Sequence, residues 1–333
     1  VAAQSLFATL SNVLDYAKLQ AGRLETESVP FDVRSATFDA IRMIKPRANR
    51  KGLEVLWHVD PEVPDRVEGD VKRLQQVLFN LLDNAVKYTD HGEIVVRCRF
   101  DGEGDGAVGL CFDVSDTGIG VAVERQRQLL EVNPSLHEID GGRPGGTGLG
   151  LALSVQLVEL MGGKLALESE PSQGSTFRFS ARFGMSESAS RSGPSLDPTE
   201  LRNLPILVVD DSATSRRILV GMLRGWGAAP SAVETADEAL ATLESARLQG
   251  RPIAIVLIDL GLPLAGGIGL AERIRNHPAL GGTACVALSP TGQEGEAERA
   301  RAAMQAELTA MSRQYRELAE TGRPVEMQGP GHR

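Results

Sequence analysis

Two periodicities of apolar positions alternate in the first part of the chain. Apolar residues recur at every third or fourth position over 71–88 and 149–161, which predicts two amphipathic helices. Other segments are rich in apolar and β-branched residues, as strands are. These segments span residues 53–59, 93–100, 110–115 and 175–183. Helices and strands in this mixture predict a two-layer α/β sandwich, in which helices cover one sheet.

Continuous apolar runs characterise the later part of the chain. They span residues 206–211, 253–259 and 283–289, and helical spacing occupies 215–223 and 236–247 between them. Continuous runs are typical of parallel strands that are buried on both faces. The repeated order of strand and helix predicts a doubly wound, flavodoxin-like sheet with a functional site at the carboxyl ends of its strands.

Less regular segments surround these two regions. Residues 2–21 have apolar positions at helical spacing, and Gly22 fits a helix stop. Residues 294–322 also predict a helix, whose apolar stripe fits either a short coiled-coil seam or a helix packed on the sheet. Residues 185–204 are rich in Ser and Pro and predict a linker, and residues 323–333 predict a disordered tail.

Composition and charge limit the functions that the chain can have. The formal net charge of -9 argues against nucleic acid as a partner, because such a surface needs concentrated positive charge. Three widely spaced cysteines predict reduced thiols in a cytoplasmic protein. No apolar run is long enough for a membrane span. The chain opens with Val1 rather than Met, and we therefore expect it to be a fragment of a longer protein.

The helix predicted at 71–88 contains three polar residues of types that bind phosphate or metal ions. Asn80, Asn84 and Lys87 stand at spacings of four and three, so they share a face beside the apolar one. Asparagine side chains can hold Mg²⁺ through the amide oxygen and phosphate oxygens through the amide N–H groups. Asp116, at the end of a predicted strand, can accept a hydrogen bond from an adenine amino group. It also fits a turn in which the carboxylate binds its own backbone.

Two glycine motifs complete a predicted nucleotide pocket. Glycines allow the backbone to approach a base or phosphates where a Cβ would collide, and a helix N-terminus attracts phosphate. We expect Gly118 and Gly120 to lie under the base and residues 121–144 to form a flexible lid. The second motif precedes and opens the helix at 149–161, and its candidate residues are Gly146, Thr147, Gly148, Leu149 and Gly150.

These three motifs, in this order, resemble the GHKL-type ATP-binding domain of sensor histidine kinases. They match neither a Walker P-loop nor a Rossmann motif. The resemblance implies that ATP is the ligand, that Asn80 and Asn84 coordinate Mg²⁺ and that Lys87 helps to neutralise the phosphates. Tyr88 either packs against the nucleotide or is a core aromatic. The lid departs from the family pattern because residues 129–134 contain no phenylalanine.

An acidic cluster is predicted in the later region. Asp210, Asp211 and Asp259 follow buried strands, so they should converge at one edge of the sheet, where Mg²⁺ would offset their repulsion. Residues 207–218 resemble the receiver domain of response regulators. The resemblance implies that Asp259 accepts a phosphoryl group and that Ser289 is the hydroxyl that responds to it. The family's lysine is missing, because no lysine follows Lys164.

The whole arrangement resembles a hybrid sensor histidine kinase of a two-component phosphorelay. Residues 14–24 are similar to the end of the second dimerisation helix of that family, which implies a homodimer. A histidine phosphotransfer protein or a response regulator is the implied downstream partner. The implied compartment is the cytoplasm, with room for an inner-membrane anchor in a longer parent. A gyrase-type ATPase fits less well, because a linker and an acidic αβ repeat follow the pocket.

The phosphoacceptor histidine of the family is not found in its usual context. The histidines are His58, His91, His137, His277 and His332, and none precedes the 14–24 segment. Either the acceptor lies in sequence outside this chain, or the protein is a degenerate scaffold without phosphotransfer. The expected domains are 1–28 (incomplete dimerisation domain), 29–184 (ATP-binding), 185–204 (linker), 205–322 (receiver-like, divergent after 290) and 323–333 (tail).

Overall fold

A mixed sheet forms the centre of the first part of the chain. The computed structural model describes residues 15, 18–19, 21, 23–24, 26–104, 106–130, 149–185, 201–263, 266–280 and 283–288. The chain divides into two compact units, Val1–Ser192 and Gly193–Arg333. The strands of the first unit are β1 (Val29–Asp32), β2 (Glu54–Val59), β3 (Arg66–Gly69), β4 (Glu93–Gly104), β5 (Ala107–Asp116), β6 (Leu165–Glu170) and β7 (Gly174–Met185).

The strand order is β1-β3-β7-β5-β4-β2, and β6 pairs with β7 beside β3. Of the pairs in this sheet, β2–β4 is parallel and the others are antiparallel. The helices of the first unit are α1 (Val33–Arg50), α2 (Val71–Tyr88), α3 (Val123–Leu130) and α4 (Leu149–Leu160). The predicted two-layer sandwich is therefore confirmed.

Helix α2 shows why the helices cover one face of the sheet. Its apolar positions recur with the helical period, so a single stripe is buried against the strands. That stripe consists of Leu74, Val77, Leu78, Leu81, Leu82 and Ala85. Beneath the helices, Phe112 of β5 and Phe179 of β7 stack with ring centroids 4.9 Å apart. Asp70 caps α2 by accepting a hydrogen bond from the Arg73 N–H at 3.1 Å.

The opposite face of the sheet carries charged residues. Arg99 of β4 and Arg178 of β7 both bind the carboxylate of Asp113, which lies on β5 between them, at 2.9 and 2.7 Å. Arg178 also pairs with Glu168 of β6. Successive side chains of a strand point to opposite faces, so apolar Phe112 and charged Asp113 serve the two faces of one strand.

The N-terminal segment is tied to the start of α2. Asp15 Oδ2 accepts hydrogen bonds from Arg73 Nη1 and from Gln76 Nε2, both at 3.0 Å. Both carboxylate and guanidinium are largely buried. Leu19 and Leu24 pack against the core of the unit. Most of the predicted helix at 2–21 lies outside the described residues.

The second unit is a parallel sheet. Its strands are β8 (Pro205–Val209), β9 (Ala229–Val233), β10 (Ile255–Asp259) and β11 (Ala284–Leu288), in the order β11-β10-β8-β9. Its helices are α5 (Ala213–Gly225), α6 (Ala236–Leu248) and α7 (Gly266–Asn276). Alternate residues of β8 enter two separate apolar clusters, Ile206 and Val208 in one and Leu207 and Val209 in the other. Burial on both faces explains the continuous apolar runs, and the doubly wound sheet is confirmed.

Several elements were not predicted from the sequence. They are the strands β1, β3, β6 and β9 and the helices α1, α3 and α7. Helix α1 buries small and polar residues, among them Thr37 and Arg34, and contains Pro46, so its apolar stripe is weak. The helix predicted at 294–322 lies outside the described residues. In the part of the chain that the structure describes, no helix combines the length and apolar character of a membrane span.

Candidate functional site

Helix α2 places three predicted site residues along one side. Asn80 is 8% exposed, and Asn84 and Lys87 are half-buried. Near the end of the helix, Lys87 Nζ lies 2.7 Å from the Tyr88 hydroxyl and 4.5 Å from the centre of the Tyr88 ring. Tyr88 is itself half-buried.

Asn80 joins α2 to the first turn of α4. Its side-chain Nδ2 donates to the Gly150 carbonyl oxygen at 3.1 Å and to the Ser154 hydroxyl at 3.2 Å. Ser154 Oγ in turn donates to the Gly150 carbonyl at 2.8 Å. The asparagine motif and the second glycine motif therefore meet, as their predicted joint function requires. Ser154 was not predicted as a site residue, although it is a polar side chain inside an apolar helix.

Asp116 occupies the last position of β5 and starts a turn. Its Oδ1 accepts a hydrogen bond from the Gly118 N–H at 2.8 Å, which is the turn that the sequence offered as an alternative. Burial raises the pKa of this carboxyl, against the hydrogen bonds from Gly118, Ser175 and Thr89 that stabilise its charged form. The carboxylate of Asp116 is thus held by donors from the turn, from β7 and from Thr89.

The glycines after Asp116 serve contacts within the protein. A Cβ at Gly118 would lie 2.5 Å from the Tyr88 carbonyl oxygen. At Gly120, where φ is +66°, a Cβ would overlap the Glu170 carbonyl oxygen. The sequence also missed Gly174, whose Cβ would overlap the Asp116 carbonyl oxygen. We had expected the first two glycines to make room for a base, but their close approaches to neighbouring backbone already require glycine.

The structure describes only the first part of the lid predicted at 121–144. Residues Val123–Leu130 form α3. Gln126 Nε2 of this helix donates to the carbonyl oxygens of Val121 at 2.9 Å and Ser169 at 2.7 Å. Leu129 and Leu130 pack against the apolar core, and these contacts hold the helix. The rest of the predicted lid lies outside the described residues, as do Gly146, Thr147 and Gly148, and α4 begins at Leu149.

Three carboxylates converge in the second unit. One carboxylate oxygen from each of Asp210, Asp211 and Asp259 lies within 4.8 Å of the other two. Asp210, at the end of β8, is 4% exposed, and Asp259 is the last residue of β10. Parallel strands bring these ends to one edge, as predicted. A set of hard oxygen atoms at this spacing fits Mg²⁺.

Asp210 is held in place by its neighbours. Ser215 Oγ donates to Oδ2, and the Ser212 N–H donates to Oδ1 at 2.8 Å. Burial raises the pKa of Asp210, and the charges of Asp259 and Asp211 raise it further, while these two hydrogen bonds act in the opposite direction. The sequence did not point to Ser215. Ser289, the predicted responding hydroxyl, lies outside the described residues.

Known families match both units. Residues 69–185 match the family described as histidine kinase-, DNA gyrase B-, and HSP90-like ATPase. Residues 206–310 match the response regulator receiver domain. The chain thus combines an ATP-binding domain of the histidine kinase type with a receiver domain.

Similar proteins narrow this class. The chain is 35% identical over 276 residues to the sensor histidine kinase AruS of Pseudomonas aeruginosa, covering 83% of this chain and 27% of AruS. It is 34% identical over 315 residues to the virulence sensor protein BvgS of Bordetella bronchiseptica, covering 90% of this chain and 25% of BvgS. The chain spans about a quarter of the length of these relatives.

A solved structure is similar over nearly the whole chain. Full-length ShkA in complex with AMPPNP has a TM-score of 0.66 and 25% identity, covering 98% of this chain and 63% of that one. With these relatives and both domains in the same order, the chain belongs to the hybrid sensor histidine kinases of two-component systems.

Gly120→Ala tests whether the close approach at this glycine is essential. Gly52 is a matched control, because its φ of +67° is nearly the same and no atom lies within 4 Å of its Cβ position. We expect Gly52→Ala to lower the free energy of unfolding by about 1 kcal/mol from backbone strain alone. Gly120→Ala should lower it by about 1–3 kcal/mol more. Urea unfolding followed by Trp57 fluorescence, with Trp226→Phe in every sample, reports on the first unit. Equal losses would contradict the steric explanation.

Asp116→Asn tests the raised pKa of this half-buried carboxyl. Between about pH 4, the usual pKa of aspartate, and the raised pKa, the folded state binds more protons than the unfolded state. Stability therefore falls as pH rises through this window. Asparagine has no such loss, and its Oδ1 can still accept from Gly118. We expect the free energy of unfolding of the variant, relative to the unsubstituted chain, to increase from about pH 4 to about pH 7. A constant or decreasing difference in Trp57-monitored urea unfolding would oppose this assignment.

Proposed function

We propose that the first unit binds Mg·ATP and supplies its γ-phosphoryl group to a histidine of the hybrid kinase. The observation that carries this proposal is the junction at Asn80, where the asparagine motif of α2 meets the glycine motif at the start of α4. Asp116 adds a half-buried acceptor at the end of β5. This combination of a metal-binding amide, a helix N-terminus and a base acceptor suits an adenine nucleotide.

Each residue has a distinct task in this proposal. Asp116 accepts a hydrogen bond from the adenine amino group, which excludes guanine because guanine presents an oxygen at that position. The side-chain oxygens of Asn80 and Asn84 hold Mg²⁺. Lys87, in the last turn of α2, attracts phosphate oxygens by its positive charge. Mg²⁺, when bound, neutralises charge on the phosphates. The N-terminus of α4, preceded by Gly146, Thr147 and Gly148, faces the phosphates.

The second unit is proposed to receive the phosphoryl group. An oxygen of Asp259 attacks the phosphorus of a phosphohistidine, and the P–N bond breaks as the imidazole leaves. Asp210 and Asp211 would hold Mg²⁺ beside the reacting oxygen, since the carboxylate oxygens of all three residues converge. Ser289 would contact the phosphoryl group. A homodimer through the N-terminal helix and a downstream histidine phosphotransfer protein complete the proposal, in the cytoplasm where Mg·ATP is available.

One observation favours a second function. No lysine follows Lys164, so the second unit has no lysine of the kind with which receivers contact the phosphoryl group. A scaffold whose receiver docks partners without accepting phosphate would tolerate this loss. The two functions differ in whether Asp259 can be phosphorylated at all.

Calorimetric titration with AMPPNP and Mg²⁺ tests the nucleotide site. We expect micromolar binding to the chain and a loss of about tenfold or more in Asn84→Ala, because even partners that only support a metal ligand contribute that much. Asn49→Ala is the control, since Asn49 is an exposed asparagine near the end of α1. Its affinity should change by less than about twofold. Absence of binding, or equal affinity in both variants, would refute the assigned site.

Phosphorylation by phosphoramidate in the presence of Mg²⁺ tests the second unit. We expect intact-mass analysis to show the addition of one phosphoryl group, and Asp259→Asn to abolish it because the attacking carboxylate is gone. Asp237→Asn serves as the control, because Asp237 is an exposed carboxylate of α6 outside the cluster. If the unsubstituted chain takes up no phosphate, the scaffold function replaces the proposed transfer.

A further inference from the structure

We propose that Ser154 is a positioning residue that turns the carbonyl oxygen of Asn80 toward the bound divalent cation. The proposal rests on the proposed nucleotide function and assigns a role to a residue outside its three sequence motifs. Ser154 lies in α4, one turn after Gly150, and its side chain is fully buried.

The hydrogen bonds around Ser154 fix the orientation of the Asn80 amide. An asparagine amide has two N–H donors on one side and a carbonyl oxygen on the other. Nδ2 of Asn80 serves two acceptors, the Ser154 hydroxyl at 3.2 Å and the Gly150 carbonyl at 3.1 Å. With both donors directed at α4, Oδ1 is the remaining atom with which Asn80 can meet a cation. A reversed amide would set Oδ1 against the Gly150 carbonyl, and two oxygens without a hydrogen between them repel.

A serine is not what packing alone would select at this position. Its neighbours in α4, Ala152, Leu153, Leu157 and Val158, are fully buried apolar residues. A buried hydroxyl is unfavourable unless its hydrogen-bonding capacity is used. Ser154 Oγ donates to the Gly150 carbonyl at 2.8 Å while accepting from Asn80, so both capacities are used. The hydrogen bond to Gly150 stabilises the buried hydroxyl, and the hydrogen bond from Asn80 lets that hydroxyl orient the Asn80 amide.

The chain contains a matched control for a buried hydroxyl in a helix. Thr37 of α1 is also fully buried, and its Oγ1 donates to the Val33 carbonyl, four residues earlier, at 2.8 Å. Ser154 makes the same bond to Gly150 but also contacts Asn80. Removal of each hydroxyl therefore disturbs a helix in a similar way, and only Ser154→Ala disturbs the amide.

The experiment measures how strongly Mg²⁺ promotes AMPPNP binding. For each protein, calorimetry gives the affinity with Mg²⁺ and with EDTA, and the ratio is the gain due to the metal. We expect Ser154→Ala to reduce this gain about tenfold, with the EDTA value unchanged, because partners that orient a metal ligand contribute about 10–100-fold. Thr37→Val should leave the gain unchanged. In an Asn80→Ala background, Ser154→Ala should have no further effect on the gain.

A second readout needs no nucleotide. The side-chain amide protons of Asn80, observed by ¹⁵N NMR, should exchange with solvent slowly in the unsubstituted chain and faster in Ser154→Ala. If Ser154→Ala does not fold, Ser154→Cys replaces it, since a thiol fills the same space but is a weak acceptor.

The outcomes separate this inference from the function on which it rests. If the unsubstituted chain shows no gain from Mg²⁺, the proposed nucleotide function fails, whatever the NMR result. If it shows the gain and Ser154→Ala retains it in full, the positioning role is overturned and the nucleotide function stands. A reduced gain in Thr37→Val as well would make the effect a general loss of helix packing and would also overturn the role.

Discussion

The structure of the first unit depends on the packing of α2 against one face of the sheet. The apolar stripe that includes Leu74, Leu78 and Leu81 is fully buried, so the helix cannot rotate without exposing it. Burying that stripe fixes the direction of every other side of the helix. Asn80 consequently faces α4, and Asn84 and Lys87 follow it on the same helix at spacings of four and three. The hydrophobic contact thus determines where the polar chemistry lies.

The same sheet separates packing from charge by the alternation of its strands. One face carries Phe112 and Phe179 beneath the helices, and the other carries the ion pairs between Arg99, Asp113 and Arg178. Asp113 is bound by two guanidinium groups, so its buried charge is compensated. A sheet with one polar face needs only one layer of helices, and this agrees with the two-layer architecture.

The sequence predicted those features that depend on residues close together in the chain. Helix α2 was predicted because it has one complete apolar stripe. The strands β8, β10 and β11 were predicted because both of their faces are apolar. Strand β9 was missed, since it is an edge strand that contains Pro230 and is largely exposed. Ser154 was missed for another reason. Its partner Asn80 is 74 residues away, and no local pattern marks a hydroxyl that only a folded neighbour uses.

The glycines show a similar limit to what can be predicted from the sequence. Their positions identified the family, but their contacts could not be read from the motif, because Gly118 approaches Tyr88 and Gly120 approaches Glu170. The paired acidic strand ends were predicted correctly, since a parallel sheet brings the carboxyl ends of its strands together. The strand pattern therefore indicated where the three carboxylates meet, and the structure added which atoms hold Asp210 and Asn80 in place.

The contact of Asp15 with α2 has a mechanical consequence. Arg73, which binds Asp15, and Asn80, which reaches α4, are seven residues apart on one continuous helix. At 1.5 Å per residue they are separated by roughly 10 Å along its axis. An α-helix is stiff over so short a distance, so the contact with Asp15 and the contact with α4 are held at a fixed spacing by one element. A displacement of the N-terminal segment would therefore have to move α2 as a whole or break the contact of Asp15 with Arg73.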